Sequence, residues 1–462
     1  MLVLDRPAPA DTPPGLPPGP RLLRTVQTLR WLFAGPAFMD ECRERFGPLF
    51  TLDLHPLAVM GPGAARDPNK RVFVSDPALI KQIFTADPSA IRTGATNGFL
   101  RGVVGSESIL VLDEPRHMEE RKLLLPSFHG DRVRRYESLI REVAEREITS
   151  WPVGKPFPIW PRMQAITLEV IIRAVFGVWE PAQVSRFQDL LASMLNESMS
   201  VGFQIGHGLR SALRHRTGAR PIERSAHRLI GRIDEALGEE ISRRRASADF
   251  EAREDILSAL MHERDSDGCA LSDRQLRDEL LTLLIAGHES TATMLAWAFE
   301  QLLRYPGALD HLRSEAADGG HTYADAVVKE TLRLRPVLPF VLRELAAPLE
   351  LGGYSLPAGT WLAPCAYLVH RDPEIYPAPL QFRPERFLER PAGAYSWTPF
   401  GGGIRRCVGA AFAQLEIRVV LQTVLSRLDL QIQSVAPERI RLRFITLVPS
   451  RGGRVVVAGR RI

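Results

Sequence analysis

The sequence has few cysteines, no long apolar run and no strong excess of either charge, and each shortage closes off a class of protein. Four cysteines, Cys42, Cys269, Cys365 and Cys407, are scattered over 462 residues without a CxxC pair. That excludes a zinc ribbon or disulfide scaffold and points to a reducing compartment. The amino terminus, MLVLDRPAPADTPPGLPPGP, reaches an acid after four apolar residues. It is neither a signal sequence nor a span of about 20 apolar residues, so a cytoplasmic protein with no membrane anchor is expected. Net charge is +5, from 59 basic and 54 acidic side chains that are interspersed. Without a basic stripe, nucleic acid is not an expected partner. No internal repeat or long low-complexity linker is present.

What remains is ordinary globular composition, 45% apolar and 24% charged, too apolar for a disordered chain. Length alone suggests about three domains. Only the Pro/Gly-rich start marks a boundary, so the expectation is a leader over residues 1–20 and a single domain over 21–462. Composition makes the run from Pro13 to Pro20 a solvated tail, although prolines also suit a stiff leader that fixes how the chain enters the fold.

Helical patterns dominate. The strongest begins with a Ser272 cap and Asp273 in the first turn, runs through DRQLRDELLTLLIAGHESTATMLAWAFEQLLRY to Pro306, and turns almost wholly apolar after Glu279. A helix so long and apolar belongs at the centre of the fold. Caps and periodicity predict further helices over Pro115 to Leu125, Val133 to Ser150, Ser225 to Arg245, Tyr323 to Leu334 and Val408 to Arg427. The stretches ARDPNKRVFVS, PLELGGYSLPAGTWL and IRLRFITLVP read as short strands bounded by Gly and Pro. The expected fold class is mainly α with small antiparallel β-sheets.

The sharpest chemical signal is WTPFGGGIRRCVGAAFAQLEI, where Cys407 follows a glycine-rich loop and opens a helix. Unpaired N–H groups and partial positive charge at a helix start favour a thiolate, which can bind a metal. Gly401, Gly402 and Gly403 would leave room for a flat ligand, and Gly409 would permit close packing behind the sulfur. Taken alone, a free cysteine is more often a small buried hydrophobe.

The loop resembles a known family. Phe400, Gly403, Arg405, Cys407 and Gly409 fill FxxGxRxCxG, which is similar to the haem-binding loop of the cytochrome P-450 superfamily, and the chain resembles its soluble bacterial members. The resemblance implies a helix-rich lobe plus a smaller β-rich lobe, with haem b (iron protoporphyrin IX) held by the Cys407 thiolate. AGHEST, Ala286 to Thr291, resembles the family's oxygen-activating segment, with Glu289 as the acid and Ser290 where the family usually has threonine. Thr291 is the rival if the register shifts by one. Gly287 beside hydroxyls predicts a local widening of the helix.

Glu330 and Arg333, three apart in KETLR, resemble the ExxR pair, and Arg386 in PERF completes a triad that is structural in the family. His117 and Arg121, four apart, together with Arg343 and Arg405, resemble propionate contacts, for which guanidinium forks are suited. By the same resemblance the substrate pocket is lined by Phe99, Leu100, Val103, Phe203, Leu283, Ala286, Val337, Val341 and Leu447. These are apolar, so a lipophilic small-molecule substrate such as a fatty acid or terpenoid is expected.

The implied activity is a monooxygenase inserting one oxygen atom of O2. Protons would arrive through Glu289 and Ser290. No Rossmann or flavin segment is seen, so electrons are expected from a ferredoxin or flavodoxin with its NAD(P)H-dependent reductase. Arg405, Arg406, Arg132, Arg134 and Arg135 would make the face near the sulfur basic and attractive to an acidic partner. A peroxide-using haem-thiolate enzyme and a sensor without turnover stay open as alternatives; the acid-alcohol pair weighs against the first.

Overall fold

The computed structural model describes residues 15–55, 69–177, 181–198, 222–248, 250–264, 268–443 and 445–461. The long helix is Asp273–Leu302. Ser272 Oγ accepts from the Gln275 N–H, and the Gln275 side chain accepts from the Ser272 N–H at 3.0 Å, a reciprocal cap that fixes where the helix starts. From Thr291 to Leu302 every residue is buried, so the helix has no polar face there and is enclosed on all sides. Its neighbours include the helices Trp160–Phe176, Ala410–Arg427, Ile222–Arg245 and Thr322–Leu334.

The helices expected from caps and periodicity are present as Arg116–Leu124, Asp131–Ile148, Ile222–Arg245, Thr322–Leu334 and Ala410–Arg427. Their ends shift by up to three residues, the usual fraying. One further helix, Arg24–Phe46, carries Pro36 inside it and breaks at Ala34 (φ -146°, ψ 33°). Proline cannot donate to the preceding turn, which accounts for the kink.

Most strands gather in a second lobe, while Phe157–Pro158, Leu428–Ile432 and Arg454–Arg460 pair with one another against the helical core. The main sheet of the second lobe has the order Leu49–Asp53, Lys70–Val74, Trp361–Pro364, Arg343–Leu345, Ile91–Arg92. Most pairings are antiparallel, as expected. Lys70–Val74 and Trp361–Pro364, however, run parallel, with Val72 opposite Leu362. A parallel pair needs a crossover, and here the crossover holds most of the helical body.

The core follows the same division. One large buried cluster lies among the helices, and two smaller ones flank the sheet, one joining Trp31, Phe50 and Phe73 and the other Ile80, Phe84 and Leu362.

The leader departs from the composition-based expectation of a solvated tail. Pro17 and Pro20 are buried, Thr51 N–H donates to Pro18 O at 2.9 Å, and Thr51 Oγ1 donates to Pro17 O at 2.7 Å. A Cβ at Gly19 would lie 1.9 Å from Thr51 O, so only glycine permits the segment to lie along this strand.

Candidate active site

Cys407 lies three residues before the helix Ala410–Arg427, in a loop rather than in its first turn. Its N–H donates to Phe400 O at 3.0 Å, and Arg406 N–H donates to Gly403 O at 3.1 Å, closing the loop on itself. Two of the glycines meet a neighbour within the protein. A Cβ at Gly402 would be 2.2 Å from the Phe84 ring, and one at Gly403, where φ is +64°, would be 2.0 Å from Phe84 O. These two positions are glycine because the loop packs against Phe84. Beside Gly409 nothing lies within 4 Å of an added Cβ, so the close packing expected there is not found.

Cys407 is exposed as a residue, although protein crowds its thiol. Burial pushes its pKa up, while the Gly409 N–H, Arg121 and Arg406 pull it down by less.

Positive charge converges beside the sulfur. Burial pushes His117 down to about 3, helped by Arg405, Arg121 and Arg343, so all three guanidinia lie close to it. His117 is neutral, and its Nδ1, 2.6 Å from Glu114 Oε1, carries the proton that it donates. Arg405 lies 3.6 Å from Asp113 and 3.7 Å from Glu114. Arg343 is buried and pushed down to about 9, by burial and then by Arg405. It donates to Leu342 O and lies over the Phe84 ring, and among the described residues it has no carboxylate partner. A buried guanidinium facing a second one calls for an anion. An exposed cysteine next to cations short of carboxylates suits a group that carries both a thiolate-binding metal and carboxylates, as haem does.

On the central helix, Leu283, Ala286 and Ser290 are partly exposed, while the helix from Thr291 to Leu302 is buried. The intervals of three and four place them on one face. Ser290 Oγ donates to Ala286 O at 2.8 Å. This is the competition for a backbone carbonyl expected of AGHEST, yet the helix stays regular and the predicted widening is absent. Gly287 faces Ile171, whose Cδ1 would lie 2.9 Å from an added Cβ. Thr291 is buried. Glu289 is also buried; Arg443 and Gln164 hold it, each at 2.8 Å.

Glu330, Arg333 and Arg386 come together in the structure. Glu330 accepts from Arg333 Nε at 2.7 Å, Arg333 Nη2 at 2.8 Å and Arg386 Nε at 3.1 Å, all three residues being buried. Sequence reasoning missed the link from this triad to the cysteine loop. His370 Nδ1 donates to Arg333 O at 3.2 Å, and its Nε2 accepts from Thr398 N–H at 2.9 Å. Burial, Arg333 and Arg371 push His370 down to about 3, which keeps the neutral tautomer that can make both bonds.

The proposed lining residues divide. Phe99, Leu100, Val103, Leu283 and Val341 are half-buried and Ala286 is exposed. Leu447 is fully enclosed in the core beside the sheet, and Val337 nearly so; Val337 O accepts the Leu447 N–H at 2.8 Å. Phe203 lies outside the described residues. A polar cleft of ≈ 310 Å³ bordered by Glu300, Arg304, Glu438 and Arg451 is separate from this site, and its arginines are taken up by neighbouring carboxylates and carbonyls.

A helical body on a small β-lobe, with an exposed cysteine beside clustered guanidinia, defines a protein of the haem-thiolate class. The family model for cytochrome P450 matches residues 13–457. A Mycobacterium tuberculosis protein named cytochrome P450 135B1 is 40% identical over 454 residues, covering 97% of this chain and 92% of that one. Another from the same organism, named cytochrome P450 137, is 38% identical over 447 residues, covering 96% and 90%. A solved cyanobacterial P450 with bound retinoic acid matches the fold with a TM-score of 0.80 at 22% identity, covering 97% of this chain and all of that one. The chain belongs to the cytochrome P450 family. It is accordingly a haem-dependent monooxygenase, an oxidoreductase. Among the described residues, no helix is long and apolar enough to cross a membrane.

Proposed function

We propose that this chain inserts one oxygen atom of O2 into a lipophilic small molecule, using haem b ligated by Cys407 and electrons from a separate ferredoxin or flavodoxin with its NAD(P)H-dependent reductase. The observation that carries the reading is exposed Cys407 with Arg121 beside it and Arg343 and Arg405 close by. Haem, when bound, supplies the reductive activation of O2.

The chain's own residues would do the rest. Arg121, Arg343 and Arg405 would bind the two propionates, with His117 joining when protonated. Phe400, Gly403 and Gly409 shape the loop, and Glu330, Arg333 and Arg386 hold it through His370. Ser290, which is partly exposed, would hand on a proton brought by Glu289. Thr291, which is buried, is the weaker candidate. Residues 21–462 are read as one haem domain behind a leader over 1–20, supported by the central helix's contacts across the helical body.

The half-buried apolar side chains Phe99, Leu100, Val103, Leu283 and Val341 favour a fatty acid, terpenoid or similar substrate. A cytoplasmic setting is supported by four cysteines that form no disulfide with one another. Of the arginines near the sulfur, Arg134 pairs with Asp131 and Arg135 with Glu254, so exposed Arg406 is the better candidate for attracting an acidic partner.

The test is incubation of the holoenzyme, a reconstituted redox chain and NAD(P)H with a panel of fatty acids and terpenes, followed by product analysis. Hydroxylated product with matched NAD(P)H consumption is expected. Turnover with peroxide alone would favour the peroxide-using reading, and haem binding without any turnover would favour a sensor. Cys407→His should move the reduced carbon monoxide band to shorter wavelength; an unchanged band would place the ligand elsewhere.

A further inference from the structure

The loop over residues 105–109 runs along the first turns of the central helix and is fastened to it at four points. Arg274 Nη2 donates to Ser106 Oγ at 2.8 Å, Asp278 Oδ2 accepts from the Glu107 N–H at 2.9 Å, Thr282 Oγ1 lies 2.6 Å from Ser108 Oγ, and Glu279 Oε1 accepts from the Ile109 N–H at 2.6 Å. Arg274, Asp278 and Thr282 are four residues apart and share a face. At Gly105, where φ is +93°, an added Cβ would lie 2.0 Å from Asp278 Oδ2, so this approach requires glycine. The loop joins the segment bearing Phe99, Leu100 and Val103 to the helix Arg116–Leu124, which bears His117 and Arg121.

The two acids among these anchors differ. Asp278 is neutralised by Arg277 at 2.8 Å, and Arg277 also pairs with Asp234. Glu279 is fully buried, and among the described residues no cation pairs with it. The charge that faces it is Glu120, from the helix of His117 and Arg121. Glu120 is buried too, and its Oε1 accepts from Gln275 Nε2 at 3.0 Å. Among the described residues neither Glu279 Oε2 nor Glu120 Oε2 has a hydrogen-bond partner. Two buried carboxyls facing one another in this way do not both stay ionised.

We propose that Glu279 is a positioning residue that works as a neutral acid: while it keeps its proton it holds the loop, and with it the helix of His117 and Arg121, against the central helix, and loss of the proton loosens both. The inference deepens the reading of this loop and helix as borders of the substrate pocket and the haem, and rests on it. Glu279 lies four residues before Leu283 and therefore one turn away on the same face. A shift of the loop consequently moves Phe99, Leu100 and Val103 relative to Leu283.

Burial, and then Glu120, hold the Glu279 pKa well above the usual carboxylate range; the Ile109 N–H lowers it by less, and Asp278 adds to the rise. Burial also raises Glu120, against Gln275 and Arg116, while Glu107 and Glu119 add to the rise. The two titrate as a coupled pair. Because both are raised, the folded protein binds protons that an opened seam gives up. The fastening is therefore fully present below the ordinary carboxylate pKa and is lost as pH rises from there through the folded pKa.

The test is hydrogen–deuterium exchange of the holoenzyme, read on the peptide spanning residues 105–110 and corrected for the intrinsic rate. Between about pH 5 and 9 exchange should accelerate in the wild type by up to about tenfold per pH unit. Glu279→Gln cannot ionise, and its side-chain oxygen can still accept the Ile109 N–H, so it should match the wild type at the acid end and stay protected throughout. Infrared spectra at neutral pH should show a carboxylic-acid carbonyl component in the wild type that Glu279→Gln lacks. If Glu279→Gln does not fold, Glu279→Met, equally unable to ionise, should give lower but pH-independent protection. A flat wild-type profile, the same acceleration in the variant, or identical infrared spectra would overturn the inference. Haem transfer to excess apomyoglobin over the same pH range should speed up in the wild type and not in Glu279→Gln. If exchange behaves as expected and haem transfer does not follow it, the reading of this helix as a border of the haem is what fails.

Discussion

Replacing Glu330 with glutamine removes the anion from between two buried guanidinia and changes the side-chain volume little. Glu330 accepts four hydrogen bonds, from Arg333 Nε and Nη2, Arg386 Nε and the Arg383 N–H. A glutamine can offer only one oxygen, and its NH2 would face arginine donors. Breaking a buried pair by removing one partner costs about 3–5 kcal/mol. The exposed pair Arg383–Glu389 nearby supplies the contrast, since surface pairs contribute about 0–1 kcal/mol. Equilibrium denaturation of Glu330→Gln and Glu389→Gln, at unchanged m, reads both losses directly. The loop should report the break as well: with Arg333 displaced, His370 loses its carbonyl partner, amide exchange at Thr398 should speed up, and haem retention should fall. A loss below about 1 kcal/mol for Glu330→Gln, matching the surface control, would refute the argument that the triad is a buried clamp.

Ser290→Ala should still consume NAD(P)H but divert electrons to hydrogen peroxide, while Thr291→Ala, altering a buried residue, should keep coupling; product per NAD(P)H decides, and the reverse result would move the role to Thr291. Arg406→Glu should slow reduction by an acidic ferredoxin, and rising salt should slow the wild type too, because exposed charges are screened over about 8 Å at physiological ionic strength; rates indifferent to both would remove electrostatic docking. Glu416 is fully buried, neither of its oxygens has a hydrogen-bond partner among the described residues, and burial holds its pKa well above the usual carboxylate range. It is therefore protonated when folded and ionised when unfolded above the ordinary carboxylate pKa, so its contribution to stability is lost as pH rises. Glu416→Gln should gain on the wild type by up to about 1.4 kcal/mol per pH unit above roughly pH 4.5, and a difference constant from pH 4 to 8 would contradict the assignment.

The parts legible in the sequence are those whose causes are local. Ser272 and Gln275 mark a helix start from three residues apart, KETLR puts Glu330 and Arg333 on one face, and FxxGxRxCxG is contiguous. What escaped depends on partners far away in the chain. Gln164 and Arg443 meet Glu289 across 125 and 154 residues, and nothing in their own neighbourhoods points to it. His370 shows its role only once the Arg333 carbonyl and the Thr398 amide are seen on either side of it. Gly402 and Gly403 meet Phe84, more than 300 residues earlier, a neighbour that nothing in their own stretch announces. The proline leader was misjudged because composition records its solubility and not the strand waiting at Thr51.

The parallel pairing of Lys70–Val74 with Trp361–Pro364 imposes an order on biosynthesis. Leu49–Asp53 and Lys70–Val74 can form their hairpin early, but the other edge of Lys70–Val74 must wait for a partner that the ribosome reaches nearly 290 residues later. At about 5–20 residues per second that is roughly 15–60 s, long compared with the microseconds in which a hairpin closes. Throughout that interval an apolar strand, Val72, Phe73 and Val74, presents unpaired N–H and C=O groups to its surroundings. The nascent chain is thus open to mispairing along a strand whose late partner, Trp361–Pro364, also pairs with Arg343 of the site, and a chaperone that shields this edge should raise the yield of folded protein.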